Sequence, residues 1–119
     1  MKKFAKSFSH AANGIRQVYR SERNFRIESV LGIFVLLLSC LLPLSRTEWI
    51  TVLLTIGLVL SFEILNTAVE RLMDMLQPEF HHEVKIIKDL SAAAVLTVSI
   101  FAWLVGLVVF VPYIIRLTS

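Results

Sequence analysis

The sequence predicts an all-α integral membrane protein, one domain in which an amphipathic surface helix precedes three membrane-spanning helices. Of its 119 residues 56% are hydrophobic and the mean hydropathy is +0.75, too apolar for a soluble domain and too short a chain for two domains. The apolar residues fall into three long runs, and most of the 12 Lys and Arg residues cluster at two places between or before them.

The surface helix is expected over residues 1–22. Phe4, Phe8, Ala11 or Ala12, Ile15 and Val18 or Tyr19 recur at helical spacing while the lysines and arginines take other faces, which suits a helix lying in the membrane interface. The first span is expected over residues 25–44, with a core at 30–42 of almost pure Leu, Val, Ile and Phe and with Pro43 as the stop. Cys40, the single cysteine, excludes an intrachain disulfide and reads as a buried apolar thiol.

The second span is expected over residues 49–76. Its plainly apolar part, 49–62, covers roughly 20 Å at 1.5 Å per residue. Residues 77–83, with Pro78 and the pair His81 and His82, read as a turn, and residues 89–115 as the third span. Lys2, Lys3, Lys6, Arg16, Arg20, Arg23 and Arg26 come at or before the start of the first span, and Arg71, Lys85 and Lys88 flank the second connection. Only Arg46 lies in the first connection and only Arg116 near the C-terminus. The positive-inside rule then places the N-terminus and the second connection in the cytoplasm of a multi-pass cell-membrane protein.

One polar stripe interrupts this pattern. Glu63, Asn66 and Glu70, at i, i+3 and i+7, share a helix face at membrane depth, with Asp74 prolonging it toward water. Glu63, among apolar side chains, suits a general base, and Glu70, roughly 10 Å further along, suits a cation ligand nearer the interface. Magnesium takes one or two carboxylates plus phosphate oxygens and water, so Glu22, at about the same depth as Glu70, is a second candidate ligand. Lys88 offers positive charge to a phosphate, and Asp89 beside it is positioned to order that lysine or a ribose hydroxyl. These parts describe phosphoryl transfer at a membrane surface.

Plainer readings stand beside each. Glu63 and Asn66 also suit polar contacts between packed helices. Glu70 with Asp74 suits a solvated helix end, Glu22 a partner for Arg20 and Arg23, His81 and His82 an ordinary loop, and Lys88 a snorkelling anchor. A small proton-coupled exporter subunit accounts equally well for Glu63, though not for the charged residues at the helix ends.

The run Glu63-Ile64-Leu65-Asn66-Thr67-Ala68-Val69-Glu70 through Asp74 resembles the signature E-[IL]-L-N-[ST]-A-[IV]-E-x3-D of the prokaryotic diacylglycerol kinase family, small lipid kinases with three spans. Glu79-Phe80-His81, Lys88-Asp89 and Ala92-Ala93-Ala94-Val95 follow at the family's spacing. Upstream, Phe4-Ala5-Lys6-Ser7-Phe8, His10-Ala11, Gly14-Ile15 and Arg20-Ser21-Glu22-Arg23-Asn24-Phe25 resemble its Gram-positive branch, whose members chiefly phosphorylate undecaprenol.

The resemblance implies that Glu63 is the catalytic base meeting the lipid hydroxyl and that Asn66 supports it. It implies that Glu22 and Glu70 hold Mg2+ on the ATP phosphates, and that Glu79, Phe80, His81, Lys88 and Asp89 contact the nucleotide. His10 stands where other members place a tyrosine against ATP, and Lys3 where others have an arginine. It further implies a homotrimer with shared active sites, a lipid alcohol substrate and no nucleic-acid partner. A polar stripe on so small a bundle is readily covered by a neighbouring copy, so an oligomer is expected on physical grounds as well. The four glycines form no Walker or kinase loop, which leaves phosphate charge to the cation and Lys88.

Overall fold

A computed structural model describes residues 1–76 and 81–119. Among them the chain forms four helices, α1 (Lys2–Ser21), α2 (Arg23–Cys40), α3 (Arg46–Leu76) and α4 (His81–Thr118), and no strand.

α1 bears out the amphipathic reading. Its buried residue is Val18, at 3% exposure, whereas Phe4, Phe8, Ile15 and Tyr19 form an uncovered apolar stripe. The helix ends at Ser21 because Glu22 turns extended, with φ −113° and ψ 110°. Arg26, one turn into α2, donates to the freed carbonyls of Tyr19 at 2.8 Å and Arg20 at 2.9 Å. From α3, Arg71 donates to Gln17 Oε1 at 3.1 Å and Ser21 Oγ at 2.9 Å. The joint that carries Glu22 is therefore clamped from both neighbouring helices.

α2 packs on α3 at Gly32, where an added Cβ would stand 3.2 Å from Ile56 Cγ2. The helix stops at Cys40, four residues short of the expected limit at 44. The N–H groups of Leu41 and Leu42 bond to carbonyls three residues back, a tightened last turn that runs out before Pro43. Cys40 is exposed, which corrects the expectation of a buried thiol.

α3 begins at Arg46, earlier than the expected 49, because Ser45 and Glu48 form a capping box. The Glu48 N–H donates to Ser45 Oγ at 3.1 Å and the Ser45 N–H to Glu48 Oε1 at 2.9 Å. α4 begins at His81, so residues 81–83 belong to a helix and not to the expected turn, and its start precedes the expected 89. Val84, 2% exposed, anchors that first turn.

α3 and α4 are each long and apolar enough to cross a membrane. Leu37, Leu54, Trp103 and Val108 are exposed, as a lipid-facing or subunit-facing surface requires. Several hydroxyls at apolar depth are satisfied within their own helix. Ser39 donates to Val35 O at 2.7 Å, Thr55 to Thr51 O at 2.7 Å and Thr97 to Ala93 O at 2.8 Å.

Among the described residues three polar contacts tie α3 to α4. At the end near the first connection, the Tyr113 hydroxyl lies 2.6 Å from Glu48 Oε1 and 3.1 Å from Pro43 O, with the Arg116 guanidinium 5.3 Å above the Tyr113 ring. Ser91 Oγ donates to Asn66 Oδ1 at 2.7 Å further along, and Lys88 pairs with Asp74 toward the other end.

Candidate active site

Glu63 sits on α3 fifteen residues beyond Glu48, about 22 Å along the axis. It is 5% exposed. Its backbone carbonyl accepts from Thr67 Oγ1 at 3.0 Å, so the helix is braced one turn beyond the carboxyl.

Facing it is a residue that spacing along one helix does not reveal. Glu28 of α2 sets its carboxyl within hydrogen-bonding reach of Glu63, and Glu28 Oε2 is sealed from solvent with no donor from the chain. Two carboxyls in this arrangement hold together by hydrogen bonding when one proton lies between them. The two carboxyls thus meet away from bulk water, Glu63 being 5% exposed and Glu28 Oε2 covered. Glu22 and Glu70 are near enough for their charges to bear on Glu63. Residues from the α1–α2 joint, α2 and α3 accordingly converge.

Asn66 and Glu70 are half-buried, on the same face as Glu63. Ser91 fixes the Asn66 carbonyl, which turns the amide nitrogen toward Glu70 Oε1 at 3.3 Å. Asn66 therefore packs helix against helix and orients a carboxylate at the same time. The reading of Asn66 as a polar contact between packed helices is borne out by the Ser91 bond.

The basic side of the site differs from expectation. Lys88 and Asp89 do not serve each other: Lys88 reaches across to Asp74 of α3, and Asp89 accepts from Lys85 at 2.7 Å. Adjacent helical residues point about 100° apart, whereas Lys85 lies one turn from Asp89. His10 and Lys3 are exposed on α1, His10 eleven residues or about 16 Å before the helix end at Ser21, so the chain does not itself gather them to the carboxylates. His81 is exposed at the start of α4. Glu79 and Phe80 lie outside the described residues. Glu28 and Ser91 are the contacts that sequence reading did not single out, since each is defined by a partner on another helix.

Comparison with known proteins gives this geometry a frame. The family model for prokaryotic diacylglycerol kinases matches residues 9–110. The chain belongs to the prokaryotic diacylglycerol kinase family. It is 38% identical over 112 residues to an undecaprenol kinase of Bacillus subtilis, covering 94% of this chain and 91% of that one. To a diacylglycerol kinase of Synechocystis it is 37% identical over 112 residues, 93% of this chain and 64% of the relative. To the diacylglycerol kinase of Escherichia coli K12 it is 30% identical over 97 residues, 82% and 80% of the two chains. A member of this family is a lipid kinase and a membrane protein, with ATP as phosphoryl donor. Membership sets the exporter reading aside.

Among the described residues no group of three or more His, Cys, Asp or Glu side chains is disposed to hold a metal ion. Glu22 and Glu70 suit an ion whose remaining ligands are phosphate oxygens and water, the habit of magnesium on a nucleotide.

Proposed function

We propose that this protein phosphorylates undecaprenol, ahead of diacylglycerol, at the cytoplasmic surface of the cell membrane. The observation that carries the reading is the separation of roles within one carboxylate cluster: Glu63 is buried against Glu28, while Glu70 is half-exposed and oriented by Asn66. The preference for undecaprenol is supported by the Bacillus subtilis relative.

In this reading the lipid hydroxyl reaches Glu63 from the bilayer and passes its proton to that carboxylate as its oxygen attacks the γ-phosphorus of ATP. The bond from that phosphorus to the bridging β,γ-oxygen breaks and ADP departs. Glu28 holds the Glu63 carboxyl in place and shields it from water. Glu22 and Glu70 would hold Mg2+, which supplies charge neutralisation on the phosphates when bound. Lys88, held beside Asp74, and His81, with Asp89, Glu79, Phe80 and His10, provide nucleotide contacts. Asp89 is already engaged by Lys85, so its part there requires exchange of that exposed pair.

The whole chain, 1–119, acts as one domain, with α1 on the membrane surface and three spans. α2, 18 residues and about 27 Å long, completes the third despite Arg23, Arg26 and Glu28 in its first two turns. Those residues cluster at the end that the positive-inside rule assigns to the cytoplasm, as does the cluster of carboxylates. Three copies assemble and share active sites, which covers the apolar faces of the spans and brings in contacts, such as His10, that one chain leaves distant.

The test is Glu63→Gln. It keeps shape and removes the base, and it abolishes turnover of undecaprenol while the purified oligomer still binds nucleotide. Near-normal turnover by this variant overturns the assignment.

A further inference from the structure

Arg71 follows Glu70 on α3, and Ser21 precedes Glu22 at the joint between α1 and α2. The two candidate cation ligands are therefore each next in sequence to one end of a single contact between helices. Consecutive helical residues point about 100° apart, so Glu70 meets Asn66 while Arg71 turns toward α1. There one planar guanidinium serves two acceptors, with Nη1 donating to Gln17 Oε1 at 3.1 Å and Nη2 to Ser21 Oγ at 2.9 Å. Gln17 and Ser21 lie at i and i+4 on one face of α1, a pair that a forked donor bridges and a point charge does not.

The path from this fork to Glu22 is short. Ser21 Oγ also donates to Gln17 O at 2.9 Å, and the Glu22 N–H bonds to Val18 O at 2.9 Å, where Val18 is 3% exposed. On the other side the Arg26 N–H bonds to Glu22 O at 3.2 Å. Glu22 itself is extended and makes no side-chain cap bond, so the placing of its carboxyl follows from the joint. Two carboxylates brought near each other repel until a cation lies between them, and that repulsion works to part the joint from α3. The fork of Arg71 opposes it.

We infer that Arg71 is a positioning residue: it holds Glu22 against α3 so that Glu22 and Glu70 are already set to share one divalent cation before the nucleotide arrives. The inference rests on the cation reading of Glu22 and Glu70. Each exposed hydrogen bond is weak by itself. Ordering completed before binding nevertheless carries over into affinity, because the ion then meets two placed ligands and not one.

The experiment uses the purified full-length oligomer in one detergent and the non-hydrolysable ATP analogue AMP-PNP. Its dissociation constant is measured with excess Mg2+ and with EDTA, and the ratio is the affinity that the ion adds. Arg71→Met keeps the stem and removes both donors, Arg71→Lys keeps the charge but reaches one acceptor at a time, and Ser21→Ala removes one acceptor. The gain from the ion falls about tenfold in Arg71→Met and about threefold in the other two, while metal-free affinity moves less than twofold. Adding Ser21→Ala to Arg71→Met costs nothing further, since both act on one contact. Deuterium uptake by the amides of residues 18–26 rises in metal-free Arg71→Met. An unchanged gain overturns the inference, and so does full retention by Arg71→Lys, which would make charge alone sufficient. Loss of metal-free affinity makes the guanidinium a phosphate contact and overturns it too. A lowered melting temperature with the gain intact leaves a structural tether only and has the same consequence. Glu70→Gln separates the two readings: if it leaves the gain unchanged, the cation reading fails and takes the inference with it. If Glu70→Gln lowers the gain and Arg71→Met does not, the inference alone fails.

Discussion

Replacing Asn66 by Leu removes two polar contacts at little cost in volume. The Nδ2 bond to Glu70 Oε1, at 3.3 Å, is long for a hydrogen bond to a charged group, so it contributes about 1.5 kcal/mol, the low end of the usual range. The bond from Ser91 Oγ, at 2.7 Å, contributes about 1 kcal/mol to the packing of α3 on α4. Loss of the first frees Glu70 to adopt other rotamers, which raises KM for magnesium-ATP about tenfold. Loss of the second lowers thermal stability without changing the lipid KM. The two effects separate in a double-mutant cycle: Ser91→Ala alone destabilises, and its destabilisation disappears in the Asn66→Leu background, giving a coupling of about 1 kcal/mol. Steady-state kinetics against magnesium-ATP and thermal unfolding in detergent read out both. An unchanged nucleotide KM together with strictly additive stability losses refutes the bridging role.

Glu28 is expected to act by positioning Glu63. Glu28→Leu lowers kcat about 100-fold, the scale of a misplaced catalytic group, while Glu28→Gln, which can still hydrogen-bond Glu63, loses far less. Equal losses in the two variants, measured at saturating ATP, count against it. At the opposite end, Tyr113→Phe deletes only the hydroxyl between Pro43 and Glu48, so stability falls by about 1 kcal/mol and kcat holds. A kinetic defect with an unchanged melting temperature would contradict a purely structural tether.

Hydropathy found the apolar body of α2, α3 and α4 and missed their ends for separate reasons. Residues 41–44 are as apolar as the helix before them, so the turn after Cys40 leaves no mark in hydropathy. The capping box at Ser45 and Glu48 is legible as S-x-x-E, but it lies outside the apolar window that sets the start at Trp49. The first turns of α4 are charged, and their helix is held by Val84 against neighbours that a local reading does not see. The same limit applies to the site. Glu63, Asn66 and Glu70 were legible because a fixed period puts them on one face. Glu28 and Ser91 act across helices, where no spacing rule applies. Adjacency suggests that Asp89 orders Lys88 or a ribose hydroxyl, whereas the helix turns Asp89 toward Lys85 and Lys88 toward Asp74.

The polar contacts at Glu48, Asn66 and Asp74 fall along α3 at intervals of about 27 Å and 12 Å, each gripping α4 at a different height. Slippage by a single helical turn, about 5.4 Å, would unmake all three at once. The hairpin of α3 and α4 therefore behaves as a keyed shaft that resists sliding, and it fixes the height of Glu63 against α4. α1 and α2 hold to that shaft through the clamp at Arg71, the close pass at Gly32 and the approach of Glu28 to Glu63.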